Sequence, residues 1–312
     1  MVQSPAVMTR GLTKSYGAVQ ALRGVDLEVA RGEIFGFLGP NGSGKTTTIR
    51  CLLDLIRPTS GAVRVLGLDP QAEPLAVRGR VGYLPGELRL DDNRTADAVF
   101  RFFNRLRGGR ADPPYIRQLA ERLDLDLRTP IKNFSRGNKQ KVGLVQALMH
   151  RPELLLLDEP TSGLDPLAQQ EVHRLIAAAR AEGATVFFSS HVLSEVQEVA
   201  ERVAILRGGA VVEVAATAAL IDRALRRVRV RFREPPDSLV LDHLPGIKIL
   251  GRDDRGGVLL QVSGEMDGLI KALAAFPVSD FETERPSLEE VFLAYYEGDG
   301  PGSSVKPKEE TQ

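Results

Sequence analysis

Three things are scarce in these 312 residues: cysteine, an excess of either charge, and long apolar runs. The single cysteine, Cys51, excludes an internal disulfide and is expected to pack as a small hydrophobe in the helix that carries it. Lys and Arg number 41 and Asp and Glu 41, so the basic excess of a dedicated nucleic-acid binder is missing. No stretch approaches the roughly 18 uninterrupted apolar residues of a membrane span, and Met1–Arg10 lacks the apolar core of a signal peptide. The expectation is a soluble, intracellular chain that could serve a membrane only through a partner. Its length suffices for one large core and one smaller one, which makes two domains the natural division.

Glycine, in contrast, is concentrated where it carries meaning. Gly39-Pro40-Asn41-Gly42-Ser43-Gly44-Lys45-Thr46 follows the β-prone run Ile34–Leu38 and precedes Thr47–Leu53, which reads as a helix with an apolar stripe. Strand, glycine-rich turn, then a helix opening on Lys-Thr is the context of a phosphate-binding P-loop, and these flanks favour it over an ordinary βα turn. Glycines let successive backbone N–H groups converge on a phosphate chain, and the helix N-terminus adds partial positive charge. Lys45 supplies a full charge for β- and γ-phosphates, and Thr46 a hydroxyl for Mg²⁺. The motif predicts binding of a nucleoside triphosphate.

Around this loop the sequence predicts alternating strands and helices. Val25, Leu27 and Val29 alternate with acids in a β-rich start over 7–37. Tyr16 reads either as a half-buried strand tyrosine or as an aromatic available to stack on a base. Strands are expected at Gly61–Leu66 and Val81–Leu84, the latter ending at Pro85-Gly86-Glu87. Val99, Phe102, Phe103 and Leu106 then recur at helical spacing, and a second helix runs through Ile116, Leu119 and Leu123. Residues 88–150 are read as a mostly helical subdomain. Leu154–Leu157 is an uninterrupted apolar run, suited to a central parallel strand, and it ends in Asp158 and Glu159. Asp158 stands where the ligand of a Mg²⁺-bound water belongs, and Glu159 where it can accept a proton from attacking water. Asp165 before Pro166 is a helix start, and Thr185–Phe188 is another buried strand, ending at Ser189-Ser190-His191. The alternation implies an α/β fold with a mostly parallel sheet.

The first domain is expected to close by residue 220. Val228, Val230 and Phe232 alternate with Arg227, Arg229, Arg231 and Arg233, and this row reads as a solvated strand face, with a basic binding stripe as the alternative. Strand-like pieces at 246–250 and 257–262, a helix near 265–275 and a capping box at Ser287 and Glu290 make 221–297 a small α/β accessory domain. Residues 298–312, rich in Gly, Pro, Ser, Lys and Glu, should be a disordered tail.

With P-loop, acid pair and strand-end histidine in this order, the chain resembles the ATP-binding subunit of ABC transporters. Within that family it is similar to the branch serving drug and antibiotic exporters with a separate membrane permease. The resemblance covers about 7–215, and Pro286–Phe292 is similar to that branch's C-terminal extension. It implies a P-loop NTPase (ABC ATPase) fold with an antiparallel β subdomain, a helical subdomain and the accessory domain. Gly39, Pro40, Asn41, Gly42, Ser43, Gly44, Lys45, Thr46 and Thr47 match the phosphate-binding stretch, and Tyr16 the aromatic that stacks on adenine. Asp158 and Glu159 match the Mg²⁺-associated acid and the catalytic base. Ser162–Asp165 matches the loop that crosses between subunits, and His191 the switch histidine at the γ-phosphate. Ser135, Gly137 and Asn138 fall in the signature stretch that faces the other subunit's nucleotide, here Phe134-Ser135-Arg136-Gly137-Asn138 where the common form is Leu-Ser-Gly-Gly-Gln. The family's glutamine after the Tyr-Leu-Pro run is replaced by Gly86, which makes Glu87 a candidate substitute at the metal.

The resemblance thus implies ATP and Mg²⁺ as ligands, and dimerisation with a second copy or a paralogous ATP-binding subunit. It also implies a membrane permease as partner, a peripheral place on the cytoplasmic face of the cell membrane, and no nucleic acid. The alternative is a regulatory or ribosome-associated ABC-type ATPase. Ribosomal types usually join two cassettes in one chain, whereas one P-loop is present here; Gly86 and Arg136 keep the regulatory version open.

Overall fold

Runs buried on both faces, not alternating ones, build the centre of this protein. In the computed structural model, which describes residues 4–223, 226–233, 244–252, 257–262 and 266–284, the chain forms two compact units that divide between Ala215 and Ala216. In the first unit, β1 (Val7–Tyr16), β2 (Val19–Val29), β3 (Ile34–Leu38), α1 (Lys45–Leu52) and β4 (Ser60–Val65) lead to α2 (Pro74–Arg80) and β5 (Val81–Leu84). The helices α3 (Ala96–Leu106), α4 (Pro113–Arg122) and α5 (Arg136–Leu148) follow. Then come β6 (Leu154–Asp158), α6 (Pro166–Ala181), β7 (Thr185–Ser190), α7 (Leu193–Val199), β8 (Arg202–Arg207) and β9 (Ala210–Ala216), whose last residue lies at the division.

The main sheet has the order β5-β6-β7-β3-β8-β9, and its pairs from β5 through β8 are parallel. Every residue of β3, β6 and β7 is buried, as expected of strands covered by helices on both faces. Phe35 and Phe187 stack across β3 and β7 with ring centroids 5.7 Å apart. Parallel pairing has a direct consequence: all these strands end on the same edge. Leu38 pairs with Ser190 and Asp158 with Ser189, so the segments beginning at Gly39, Glu159 and His191 leave the sheet side by side. This is the carboxyl edge at which open α/β sheets bind ligands.

A second, antiparallel sheet of order β2-β1-β4 shares its core with the main one. The helical stretch departs from its sequence pattern in one respect. Of Val99, Phe102, Phe103 and Leu106, only Val99 is fully buried; Phe100 takes the inward position, while Phe102 (43%) and Leu106 (67%) are exposed.

The second unit contains α8 (Thr217–Arg223), β10 (Arg226–Phe232), β11 (Ile247–Arg252), β12 (Gly257–Val262), α9 (Asp267–Leu273) and β13 (Val278–Glu284). Its antiparallel sheet has the order β11-β12-β10-β13, with Val228, Val230, Phe232, Leu260 and Leu269 in its core. The arginine row faces acids rather than standing alone. Arg229 lies opposite Glu282 and Arg231 opposite Asp280 in the β10–β13 register, with charged atoms 3.9 and 3.8 Å apart. Cross-strand pairs of opposite charge suit a solvated sheet face. The expected capping box at Ser287, the Pro286–Phe292 stretch and the 298–312 tail lie outside the described residues.

Candidate nucleotide site

The loop between β3 and α1 is glycine-dependent at two points. Gly42 (φ 79°) and Gly44 (φ 112°) are left-handed, a region L side chains avoid. A Cβ on Gly44 would also stand 2.8 Å from the Ala21 carbonyl oxygen. α1 begins immediately after, at Lys45, and so presents its free N–H groups to the loop. The Lys45 side chain is 5% exposed. Its Nζ donates to the carbonyl oxygens of Gly39 (2.6 Å) and Pro40 (3.2 Å) and lies 3.3 Å from Glu159 Oε1.

The acid pair is held from the neighbouring strand. Asp158, fully buried, accepts from Thr46 Oγ1 at 2.6 Å through one oxygen and from Ser189 Oγ at 2.5 Å through the other. Ser189 Oγ in turn accepts from the Glu159 N–H at 3.2 Å. Glu159 has a left-handed backbone (φ 52°), unusual for a non-glycine residue and typical of sites where the surroundings impose it. Its second carboxylate oxygen lies 2.7 Å from His191 Nδ1. Gln140 of α5, 6% exposed, donates to the carbonyls of Glu159 (3.0 Å) and Pro160 (3.2 Å). Sequence reading passed over Gln140, since only the fold brings it to the acid pair.

A cavity of about 350 Å³ opens over these groups, lined among others by Asn41, Lys45, Thr46, Arg136, Asp158 and Glu159. Inside the loop, Ser43 Oγ is buried without a hydrogen-bond partner. Among the described residues no cluster of three His, Cys, Asp or Glu could hold a metal by itself. A cation here would bind through the hard oxygens of Thr46 and Asp158 and complete its shell with phosphate and water, which is the habit of Mg²⁺. The donor set fits that ion.

The structure thus brings Gly39–Thr47, Asp158, Glu159 and His191 together. Other expected residues lie elsewhere. Tyr16 is 48% exposed at the end of β1, with Lys14 Nζ 5.0 Å from its ring centroid, and it does not line the cavity. Glu87, expected at the metal, is exposed and lines a second cavity with Leu88, Arg89, Phe134, Lys139 and Gln140. The position nearest the acid is Gly86, where a Cβ would stand 3.0 Å from Asp158 Oδ2. Ser135 caps α5, its Oγ accepting from Asn138 N at 3.2 Å. Gly137 packs so closely on the Ser162–Asp165 loop that a Cβ would meet the Gly163 carbonyl oxygen at 2.8 Å. Of the 135–138 stretch only Arg136 lines the chain's own cavity, its Nη2 donating to Ser162 Oγ at 3.0 Å. Asp165 caps α6, accepting from Leu167 N (3.1 Å) and Ala168 N (3.0 Å). The Ala168 N–H above all holds its carboxyl below the usual carboxylate range.

Strand, phosphate-cradling loop, helix and an acid-ended parallel neighbour define a P-loop nucleoside triphosphatase. Residues 22–162 match the family described as ABC transporter. The chain is 35% identical to the daunorubicin resistance ATP-binding protein DrrA3 of Streptomyces coeruleorubidus, covering 92% of this chain and 95% of that protein. It is 38% identical to the bacitracin transport ATP-binding protein BcrA of Bacillus licheniformis over 67% of this chain and 69% of that one. Among solved structures, an ATP-binding subunit of an ABC transporter superposes with a TM-score of 0.63 at 30% identity, covering 69% of this chain and 91% of that chain. The chain belongs to the ABC transporter family, as an ATP-binding subunit with ATPase activity.

Proposed function

We propose that this subunit binds MgATP at the Gly39–Thr47 loop and, by hydrolysing it, drives export of a drug or antibiotic through a separate membrane permease. The observation that carries the reading is the gathering of Lys45, Thr46, Asp158, Glu159 and His191 at one sheet edge. Lys45 and the loop N–H groups bind the phosphates. Thr46 and Asp158 would hold Mg²⁺, which when bound neutralises charge on the transferring phosphoryl group. Glu87 is left out of that set because it is exposed and lines a separate cavity, while Gly86 adjoins Asp158. Glu159 accepts a proton from water as the water oxygen bonds to the γ-phosphorus and the bond to the ADP oxygen breaks. His191 holds the Glu159 carboxylate and faces the terminal phosphate. Phosphoryl transfer depends chiefly on this positioning and on charge stabilisation.

Two copies, or one copy and a paralogous subunit, would enclose two ATP molecules. Ser135, Gly137 and Asn138 of one chain and the loop at Asp165 would cover the nucleotide on the other. None of these four residues lines the chain's own cavity, which supports this arrangement. Tyr16 would stack on adenine once the nucleotide is in place. Residues 1–220 form the cassette in this reading, with 88–150 as its helical subdomain, and 221–297 an accessory domain. Among the described residues no helix is long and apolar enough to cross a membrane; in this reading the permease spans the bilayer and the subunit lies peripherally on its cytoplasmic face. Drug resistance and bacitracin transport in the names of two relatives support export of a drug or antibiotic.

The test is affinity purification of the full chain from membranes, followed by ATPase assays with and without the co-purifying protein. A multi-span membrane protein that comes with the chain and alters its turnover is the expected result. A chain that hydrolyses ATP with no membrane partner under any extraction condition would overturn the transport reading.

A further inference from the structure

Glu195 has no part in the reaction above, yet it is buried in the cassette. Its carboxylate is 9% exposed and makes no salt bridge among the described residues. Instead each oxygen accepts from one buried hydroxyl: Thr161 Oγ1 donates to Oε1 at 2.6 Å and Ser190 Oγ to Oε2 at 2.7 Å. Burying a carboxylate without a cation is costly, and an apolar side chain in its place would generally favour stability. The position therefore calls for two acceptors on one rigid plane.

The two donors explain what the plane joins. Thr161 comes two residues after Glu159, and Ser190 immediately precedes His191. On the near side the same two segments are already tied, because Ser189 Oγ bonds Asp158 and the Glu159 N–H. Between the two ties stand Glu159 and His191, 2.7 Å apart, with Glu159 in its left-handed backbone conformation. Such a conformation persists only where neighbours over-determine it: Gln140 fixes the Glu159 and Pro160 carbonyls from α5, and Glu195 joins the chain beyond them, at Thr161, to the segment that carries His191.

We infer that Glu195 is a positioning residue for ATP hydrolysis: by clamping Thr161 to Ser190 it holds the Glu159 carboxylate against the His191 ring. The inference rests on the reading of Glu159 and His191 as the hydrolytic pair. It requires that loss of the clamp slow hydrolysis without weakening ATP binding, and that the loss vanish once His191 is gone.

The experiment compares the full-length chain with Glu195→Ala, Glu195→Gln, His191→Ala and the double variant Glu195→Ala/His191→Ala. It measures single-turnover ATP hydrolysis and the affinity for a fluorescent ATP analogue. Glu195→Ala should hydrolyse about 10- to 100-fold more slowly, with affinity within about twofold of the parent. Glu195→Gln should recover most of the rate, since an amide accepts from one hydroxyl and donates to the other. Added to His191→Ala, Glu195→Ala should cost nothing further. Losses that multiply in the double variant, an affinity that falls with the rate, or a Gln variant no better than Ala would each overturn the inference. His191→Ala at the parent rate would sink the underlying reading instead, and the inference with it. Should Glu195→Ala fail to fold, Thr161→Val removes one arm of the clamp and enters the same cycle.

Discussion

The Lys45 ammonium group lies 3.3 Å from the Glu159 carboxylate, so the proposed phosphate ligand is paired with the proposed proton acceptor. Both are largely withdrawn from solvent, Lys45 at 5% and Glu159 at 21% side-chain exposure. An incoming triphosphate must therefore draw Lys45 away from Glu159 before either group takes its place in the reaction.

Replacing Glu159 by Gln removes both the proposed base and the competitor for Lys45. Turnover should fall by at least about 10²-fold, the usual contribution of a general base. ATP affinity should be retained or rise, and the ATP-bound chain should accumulate as a dimer on size-exclusion chromatography. Steady-state turnover equal to the parent's would remove Glu159 as the base.

Ser189→Ala deletes the hydroxyl that bonds Asp158 at 2.5 Å and accepts from Glu159 N at 3.2 Å. The buried carboxylate oxygen left behind should lower stability by about 1–3 kcal/mol. A higher magnesium concentration should be needed for half-maximal ATP binding. Denaturant unfolding and a magnesium titration read the two effects separately.

Two glycines make a paired test of packing. A Cβ on Gly82 would stand 2.1 Å from the Ala147 carbonyl oxygen, where β5 meets α5, whereas one on Gly79 in α2 meets nothing within 4 Å. Gly82→Ala should destabilise by at least about 1–3 kcal/mol. Gly79→Ala should stabilise by about 0.5–1 kcal/mol. Equal unfolding midpoints for the two variants would contradict the close approach of β5 and α5.

His150 sets a pH dependence. Burial, aided by the nearby Arg107, lowers its pKa to about 4, and Nε2 lies 3.3 Å from the Val81 carbonyl oxygen. The unfolded chain takes up this proton near pH 6.5 and the folded chain only near pH 4. Stability is therefore undiminished by this residue above pH 6.5 and is lost as pH falls from 6.5 toward 4. The loss amounts to roughly 2 kcal/mol after allowance for the solvated part of the ring. His150→Gln should flatten that portion of the unfolding profile, measured by denaturant titration at several pH values.

Much of the cassette could be read residue by residue. The glycine positions of the loop, the apolar run into Asp158 and the Asp165-Pro166 helix start are local signals, and each acts through its immediate neighbours in the chain. The hidden parts share a different character. Phe100 rather than Phe102 turns inward on α3, because the neighbouring helices and not the spacing alone select the buried stripe. Gly86 adjoins Asp158 while Glu87 lines a separate cavity, a difference between two consecutive residues that only the packing of β5 beside β6 decides. β13, absent from the sequence reading, pairs its acids with the arginines of β10, and that match appears only when the two strands are set side by side.

The amino-acid order by itself determined that a triphosphate-binding loop exists and which residues compose it, because backbone freedom at glycine and charge at lysine are properties of single positions. Folding determined which distant groups stand against that loop. Parallel pairing of β3, β6 and β7 brings three strand ends to one edge, and there Glu159 meets Lys45 and His191 across gaps of 114 and 32 residues in the chain. Contacts of that kind depend on strand order and register, which no local pattern encodes.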